Sequence, residues 1–359
     1  MNRKLLISIF IIIPLAVGCM LGYEMGFKRI EAVPTVILDQ DKSDFSMTLT
    51  DYIAENNSFS VRHSVGTVDE IKEMLLDGDA AIGVIFPADM YEKLRKGQSP
   101  DVLVLYDGTK LHLMAFSKAK MNEILMTAQA GYMKKYYEGK LGIVPAESID
   151  YAMPLNVSYD VLFNRARSMS NFLLPGMLAA VIQVGMAIVG VEAAQGHKRN
   201  FADAVKRIAV YGSMGALSLI LCLWIQYAFF GMPYVGTLAG GLLISFLFAL
   251  CITTFGYFIG ALMRDRVLGT QIACVLVLPT SLLGGYTFPI MAMPAPFAVL
   301  AKIMPYAWYS DAIRNLTLME MDIGHLKRPL FYLIAMLAAE AALLFILTEG
   351  RRKYGRQTA

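Results

Sequence analysis

Six stretches of the chain are apolar on every helical face: residues 5–26, 171–191, 208–230, 237–263, 267–286 and 330–347. Each is close to or above the roughly 20 mostly apolar residues that a helix needs to cross a bilayer, so each predicts a transmembrane helix. Between the first and second runs the pattern changes. "TVILDQ" is a short β-prone run ending in acids, and residues 43–55 follow with helical spacing. "FSVRHSV" alternates as a strand does. In "TVDEIKEMLL", Thr67 stands three residues before Glu70, a capping box, and Val68, Ile71, Met74 and Leu75 share one apolar face. "DGD" stops that helix. "AAIGVIFP" then reads as a buried strand, "VLVLYDG" as a strand with a turn at 107–108, and residues 111–137 as a long amphipathic helix. These segments predict a small water-soluble α/β domain with helices covering a mixed sheet. The expected organisation is an α-helical polytopic membrane protein: a first transmembrane helix (1–27), an inserted α/β domain (28–167) and a five-helix transmembrane domain (168–359).

Charge orients the spans. Lys and Arg in short loops collect on the cytoplasmic side. Arg3 and Lys4 precede the first span; Lys198, Arg199, Lys206 and Arg207 lie between the second and third; Arg264 and Arg266 lie between the fourth and fifth; Arg351, Arg352, Lys353 and Arg356 follow the sixth. The loop "GMPYVG" between the third and fourth spans carries no charge. Six spans with this distribution put both termini inside and the inserted domain outside. The segment after the fifth span also falls outside, although it carries Lys302, Arg314, Lys327 and Arg328. The first run also resembles a secretory signal, and "AVGC" an imperfect lipoprotein cleavage box. The apolar stretch continues past Cys19, which favours an uncleaved first span.

Composition agrees with membrane embedding. The chain is 56% hydrophobic and 17% charged, against about a quarter charged in soluble proteins. Its net charge of +3 gives no reason to propose nucleic acid as a partner. Cys19, Cys222, Cys251 and Cys274 all fall in predicted spans, so the inserted domain does not rely on disulfides and the cysteines read as small apolar fillers.

Candidate chemistry is sparse. His63, His112, His197 and His325 are scattered, and no pair has metal-ligand spacing, so no metal site is expected. No Gly-x-Ser-x-Gly elbow occurs. Asp39, Asp41 and Asp44 lie close together but lack the glycine and terminal glutamate of an EF-hand, which makes a solvated acidic loop the expectation. No Gly-x-x-x-x-Gly-Lys-Ser/Thr loop is present, so the chain is not expected to be an enzyme or to hold nucleotide by itself.

One stretch breaks the pattern of a plain membrane helix. "GGYTFPIMAMP", residues 284–294, places two glycines and two prolines directly after the fifth run. It continues as "APFAVLAKIMPYAWYSDAIRN". Phe288, Pro289, Met293, Pro294, Pro305, Tyr309 and Arg314 form a spaced series that resembles the region before the last span of the type-2 ABC exporter permeases. "LFNRARSMSNFLLPGML" resembles the same family's approach to its second span. "VILDQDKSDFSMTL" and "DAAIGVIFPADMYEKLRKG" resemble the external domain of the subfamily that carries a large domain after the first span. The resemblance is co-linear over nearly the whole chain.

That resemblance implies a re-entrant helical hairpin over 284–328, before the last span, in a bacterial inner-membrane protein. Backbone that leaves the helix at membrane depth survives only within protein or a watery cavity. Gly284 and Gly285 let the chain turn without a Cβ clash, and Pro289, Pro294 and Pro305 mark helix breaks. Asp311 and Arg314 stand three apart on one helical face and are positioned to pair. The resemblance also implies a separate ATPase subunit, which would carry ATP and Mg, and an inner coupling loop over 192–207. Glu192 and Gly196 match the family's spacing there, whereas His197 stands where the family has Thr or Ser. Lys198, Arg199 and Phe201 are the candidate ATPase contacts; topology alone accounts equally well for the two cations. A second permease subunit, a periplasmic adaptor, an outer-membrane channel and membrane lipid complete the implied partners.

The polar residues within spans are Gln183, Gln226, Gln271 and Glu340. A charge at the position of Glu340 costs roughly 2.5–3.5 kcal/mol on insertion scales, so this side chain is expected to be protonated, paired or facing protein. Packing, assembly and transport roles all fit it. Two functions remain in play. One is export of an apolar or amphipathic cargo, drug-like or lipid-like, powered by the separate ATPase. The other is a membrane-anchored external binding or sensor protein with no transport role.

Overall fold

The computed structural model describes residues 3–26, 31–96, 98–152, 162–164, 168–195, 200–263 and 265–357. The chain divides into two compact units, one formed by Met1–Phe27 with Asp160–Ala359, the other by Lys28–Tyr159.

The first unit begins with α1 (Arg3–Ile7), a π-helical stretch (Ser8–Ile12) and α2 (Ile13–Gly26), which run on as one apolar rod. The second unit follows. It comprises β1 (Val33–Asp39), α3 (Asp44–Ala54), β2 (Phe59–Ser64), α4 (Val68–Asp77), β3 (Ile82–Phe86), α5 (Met90–Arg95), β4 (Leu103–Tyr106), α6 (Leu111–Leu141) and α7 (Pro145–Ala152). The strands form one mixed sheet in the order β2-β1-β3-β4. β1 lies parallel to both β2 and β3, with Thr35 opposite Ile82 and Asp39 opposite Phe86. β4 runs antiparallel to β3, with Ile82 opposite Tyr106. Side chains alternate across the sheet with a period of two. Val33 and Ile37 join Val84 and Phe86 under α3 and α6, where Leu49, Ile53 and Met121 are buried. Val36 and Leu38 join Ile85 on the opposite face, under Ile71 of α4.

Local chemistry explains the element ends. Thr67 and Glu70 form the reciprocal cap of α4, and Gly78 ends that helix in the left-handed region at φ +80°. Gly83 lies beneath Ile71, and a Cβ there would strike the Ile71 side chain. The acidic loop is occupied by its own backbone. Asp39 accepts from the amides of Asp41 (3.0 Å) and Lys42 (2.9 Å) and from the Ser46 hydroxyl (2.6 Å). Asp41 accepts from the Tyr91 amide at 3.2 Å. At the β4–α6 turn, the Thr109 hydroxyl and amide, and then Lys110, hold the Asp107 carboxyl below its usual range.

The rest of the first unit is helical: α8 (Met169–Ala194), α9 (Phe201–Phe230), α10 (Leu238–Leu262), α11 (Arg266–Val277), α12 (Thr280–Leu283), a 3-10 turn (Ile290–Ala292), α13 (Ala295–Ile303), α14 (Pro305–Leu318), a second 3-10 turn (Ile323–Leu326) and α15 (Lys327–Gln357). Six stretches among the described residues are long and apolar enough to cross a membrane: Lys4–Met25, Met169–Ala194, Phe201–Phe230, Leu238–Leu262, Arg266–Leu283 and Ile323–Glu349. They coincide with the six runs read from the sequence, so the chain is a polytopic helical membrane protein.

Helices α8 and α10 cross at glycines. Gly256 and Gly260 stand four apart on α10. A Cβ on Gly256 would strike the Ala187 carbonyl, and one on Gly260 would lie 2.6 Å from the Val191 carbonyl. From the other side, a Cβ on Gly190 would lie 2.8 Å from the Tyr257 amide nitrogen. Lipid supplies no hydrophobic force between helices, so close backbone packing of this kind carries their association.

Candidate functional site

Two regions of the first unit gather the residues singled out in the sequence. The first is the junction where α8 ends and α9 begins, beside the α10–α11 turn. Glu192, on the last turn of α8, is paired with Arg266, the first residue of α11. The Glu192 side chain is 9% exposed and that of Arg266 58%, so the cation reaches over the buried carboxylate. Gln195 donates its amide to the carbonyls of Gly260 (3.0 Å) and Met263 (3.4 Å), satisfying backbone acceptors that the end of α10 leaves open. Asp265 caps α11 by accepting from the Val267 amide at 2.8 Å. Below the junction, Ala193, Ala194, Ala204, Ile208, Tyr257, Ala261 and Leu344 make one buried cluster. Phe201 starts α9 and sets its ring edge-on to Phe345 of α15, centroids 5.2 Å apart. It is half-buried there, not freely exposed. Gly196, His197, Lys198 and Arg199 lie outside the described residues.

The second region runs from α12 to α14. Gly285 adopts φ +81°, which favours glycine. Gly284 does not, at φ −69°. Its small size serves packing instead, since a Cβ would strike Tyr306 and lie 2.7 Å from the Thr280 carbonyl. The prolines sit where each short helix starts. Pro289 precedes the 3-10 turn, Pro294 precedes α13, and Pro305 is the first residue of α14. Phe288, Pro289 and Pro294 are exposed, and Met293 is half-buried.

Helix α14 is the anchor of this region. Tyr306 donates its hydroxyl to the Gly176 carbonyl of α8 at 3.0 Å. Tyr309 stacks on Phe248 of α10, centroids 4.3 Å apart, with its hydroxyl 3.2 Å from Ser245 Oγ. Arg314 places its guanidinium 4.6 Å from the ring centroid of Phe172 and 4.5 Å from that of Tyr286. This corrects the expected pairing with Asp311. Asp311 is exposed and accepts from Asn315 at 3.4 Å, while Arg314 turns away between two rings. The aromatic faces attract the cation through their quadrupoles, and the half-buried position shields its Nε from water.

The four polar residues within spans separate. Gln183 is fully buried and donates to Thr280 Oγ1 at 3.1 Å, tying α8 to α12. Gln226 is fully buried and donates to the Gly18 carbonyl at 2.6 Å, tying α9 to α2. Gln271 is exposed on α11. Glu340 turns one carboxyl oxygen into the protein, where it meets no hydrogen-bond partner among the described residues.

Sequence reasoning did not single out Arg266, Gln195, Phe172, Tyr286 or the Gly256–Gly260 pair as site or packing residues. A readable signal existed for the glycines, since "GYFIG" is a Gly-x-x-x-Gly spacing inside an apolar run. None existed for Arg266, which reads as ordinary loop charge between two spans.

A polytopic helical fold with an inserted α/β unit and a glycine- and proline-broken segment before its last span narrows the chain to a class of membrane transporters. The model of the ABC-2 family transporter proteins matches residues 3–348, and the chain belongs to that family. It is 23% identical to the probable multidrug ABC transporter permease YbhS of Escherichia coli (strain K12), over 95% of this chain and 90% of that one. It is 21% identical to the probable multidrug ABC transporter permease YbhR of the same strain, over 87% of this chain and 84% of that one.

Proposed function

We propose that this chain is the membrane-spanning permease subunit of an ATP-driven exporter in the bacterial inner membrane. It would move an apolar or amphipathic cargo, drug-like or lipid-like, outward when coupled to a separate ATPase subunit. The observation that carries the reading is the family match along residues 3–348, which takes in the spans and the inserted unit together. The names of the two Escherichia coli relatives support a drug-like cargo.

In this reading the termini and the loop of residues 192–207 face the cytoplasm, and the Lys28–Tyr159 unit faces outward. The segment of residues 284–328 is a re-entrant hairpin at the outer leaflet. A second permease subunit completes the pathway. ATP and Mg belong to the ATPase, which closes on nucleotide and presses on the loop. The junction supports transmission of that push: Glu192 holds Arg266 and Gln195 holds the end of α10, so a displacement at the end of α8 moves α10 and α11 with it. Alternating access then requires contacts that differ between the two end states.

Affinity purification from native membranes tests the assembly. An ATPase subunit in about equal amount is the expected companion, and an adaptor beside it would make the outward unit a docking surface. Recovery of this chain alone, from a preparation that preserves other ABC complexes, would favour the anchored binding protein. Coupling is tested separately. Gly196→Val and Phe201→Ala are expected to leave ATP hydrolysis running while transport is lost. Phe345→Ala removes the same ring contact from α15 without touching the loop, and is expected to retain coupling. Coupled transport in both loop variants would remove the coupling assignment.

A further inference from the structure

The Lys28–Tyr159 unit contains a cleft of about 380 Å³ between α3, α5 and the second half of α6. That volume is within the range of sites that enclose drug-sized molecules, roughly 300–1,000 Å³. Its floor is apolar, formed by Phe45, Leu49, Met90, Leu94 and Leu125. Its wall is aromatic: Tyr132 and Tyr136 line it one helical turn apart on α6, and Tyr132 meets Phe45 edge-on at 5.0 Å. Gln98 and Gln129 are exposed at its mouth. Met90 and Met133 bring unbranched, polarizable side chains that adapt to varied shapes.

The charges around the cleft are not balanced. Lys140 lies 5.0 Å above the Tyr136 ring and gives one proton to the Arg95 carbonyl at 3.2 Å. That leaves the ammonium two further donors. Arg95 follows Leu94 at the same end and is exposed. Of the nearby carboxylates, Asp89 pairs with Lys93, Glu92 with Lys96 and Glu138 with Lys134, and Asp101, between the lining residues Pro100 and Val102, also acts on Lys93. Among the described residues no carboxylate pairs with Arg95 or Lys140. Burial, reinforced by Tyr91 and Tyr136, pushes the Tyr132 hydroxyl above its ordinary value, so it remains a neutral hydrogen-bond donor, while Arg95 acts in the opposite direction.

We propose that this cleft binds a small anionic amphiphile, with a flat apolar body against Phe45, Met90 and the two tyrosines and its acid group held by Lys140 and Arg95. A neutral apolar molecule would leave both cations unused. A cation would meet them as like charges. The proposal does not rest on the transporter reading, since a binding protein and an exporter can both carry such a site.

The test is equilibrium binding to the full chain in lipid nanodiscs, with anthracene carboxylate as the fluorescent probe, neutral anthracene methanol beside it, and empty nanodiscs subtracted. Saturable binding of the carboxylate is expected, with affinity at least about tenfold above that of the alcohol. Gln129→Trp, at an exposed position on the lining, is expected to fill the cleft and abolish the saturable component at an unchanged unfolding midpoint. Arg95→Gln with Lys140→Gln, both on the surface, is expected to bring the carboxylate down to the level of the alcohol. Three results would overturn the site: uptake no greater than that of empty nanodiscs, unchanged binding in Gln129→Trp, or equal affinity for acid and alcohol in the unaltered protein. Should Gln129→Trp lose its unfolding transition, the two charge substitutions decide alone.

Discussion

Arg314 illustrates how a residue read as a surface charge becomes a packing element. Its spacing from Asp311 invites an ion pair, yet the guanidinium lies between Phe172 and Tyr286 and so joins α14 to the start of α8 and to the turn after Gly285. Cation–π contacts are each worth about 0.5–1 kcal/mol at exposed sites and about 2 kcal/mol or more when desolvated. Arg314→Ala is therefore expected to destabilise the protein by about 1–3 kcal/mol, seen as a lower thermal midpoint in nanodiscs. Asp311→Ala, at an exposed site, should stay within about 0.5 kcal/mol. Equal effects from the two would revive the ion pair. In the α/β unit, Ile71 is fully buried over Gly83, and Ile71→Ala should cost about 2–5 kcal/mol. A cost under 1 kcal/mol by denaturant titration would mean that the face beneath α4 collapses freely around the loss.

At the scale of elements, the α8–α10 crossing governs how the helical unit is held. Its contact is backbone on backbone at Gly190, Gly256 and Gly260, with no side chain to yield. Gly256→Val and Gly260→Val should each cost at least about 1–3 kcal/mol through overpacking. They are also expected to disturb the Glu192–Arg266 junction, which joins the end of α8 to the start of α11, just after α10. The check is cross-linking of cysteines placed at 192 and 266, which should fall in both glycine variants and persist in a substitution at exposed Leu242. The segment from α12 to α14 follows another rule. Its helices are short because prolines begin them, and its position is set by aromatic residues that reach sideways: Tyr306 to Gly176, and Tyr309 to Phe248. Tyr309→Phe keeps the ring stacked on Phe248 and loses only the hydroxyl contact with Ser245; a modest loss of about 1 kcal/mol is expected.

At the scale of the whole molecule, the exposed large apolar side chains on the spans, such as Ile12, Leu217, Leu276 and Ile346, are those that lipid or another membrane subunit would cover. Inside the helical unit, Gln183 and Gln226 donate to partners on neighbouring helices, whereas Glu340 keeps a buried oxygen without a partner among the described residues. That division is the physical signature of a protein whose solvent is a bilayer. The family membership places the chain among transporter proteins. The assembly experiment above asks whether it works as one subunit among several, and the cleft experiment asks whether its α/β unit takes a ligand of its own.

The spans were legible in the sequence because apolarity sustained over about 20 residues is what a helix needs to cross a bilayer. The α4 cap was legible because it is built from two residues three apart. The sequence by itself therefore determined that the chain crosses a membrane repeatedly and carries an inserted segment of alternating strands and helices. Only the tertiary structure decided what is made by residues far apart in the chain. It brought Arg266 to Glu192 across 74 positions, and set Tyr306 on Gly176 across 130. It also gave Gly284 its real reason, a close approach by Tyr306 in place of a turn. Periodicity reports which face of an element is apolar. It carries no information on which distant side chain will meet that face, and the junction, the arginine between two rings and the cleft are all made of such meetings.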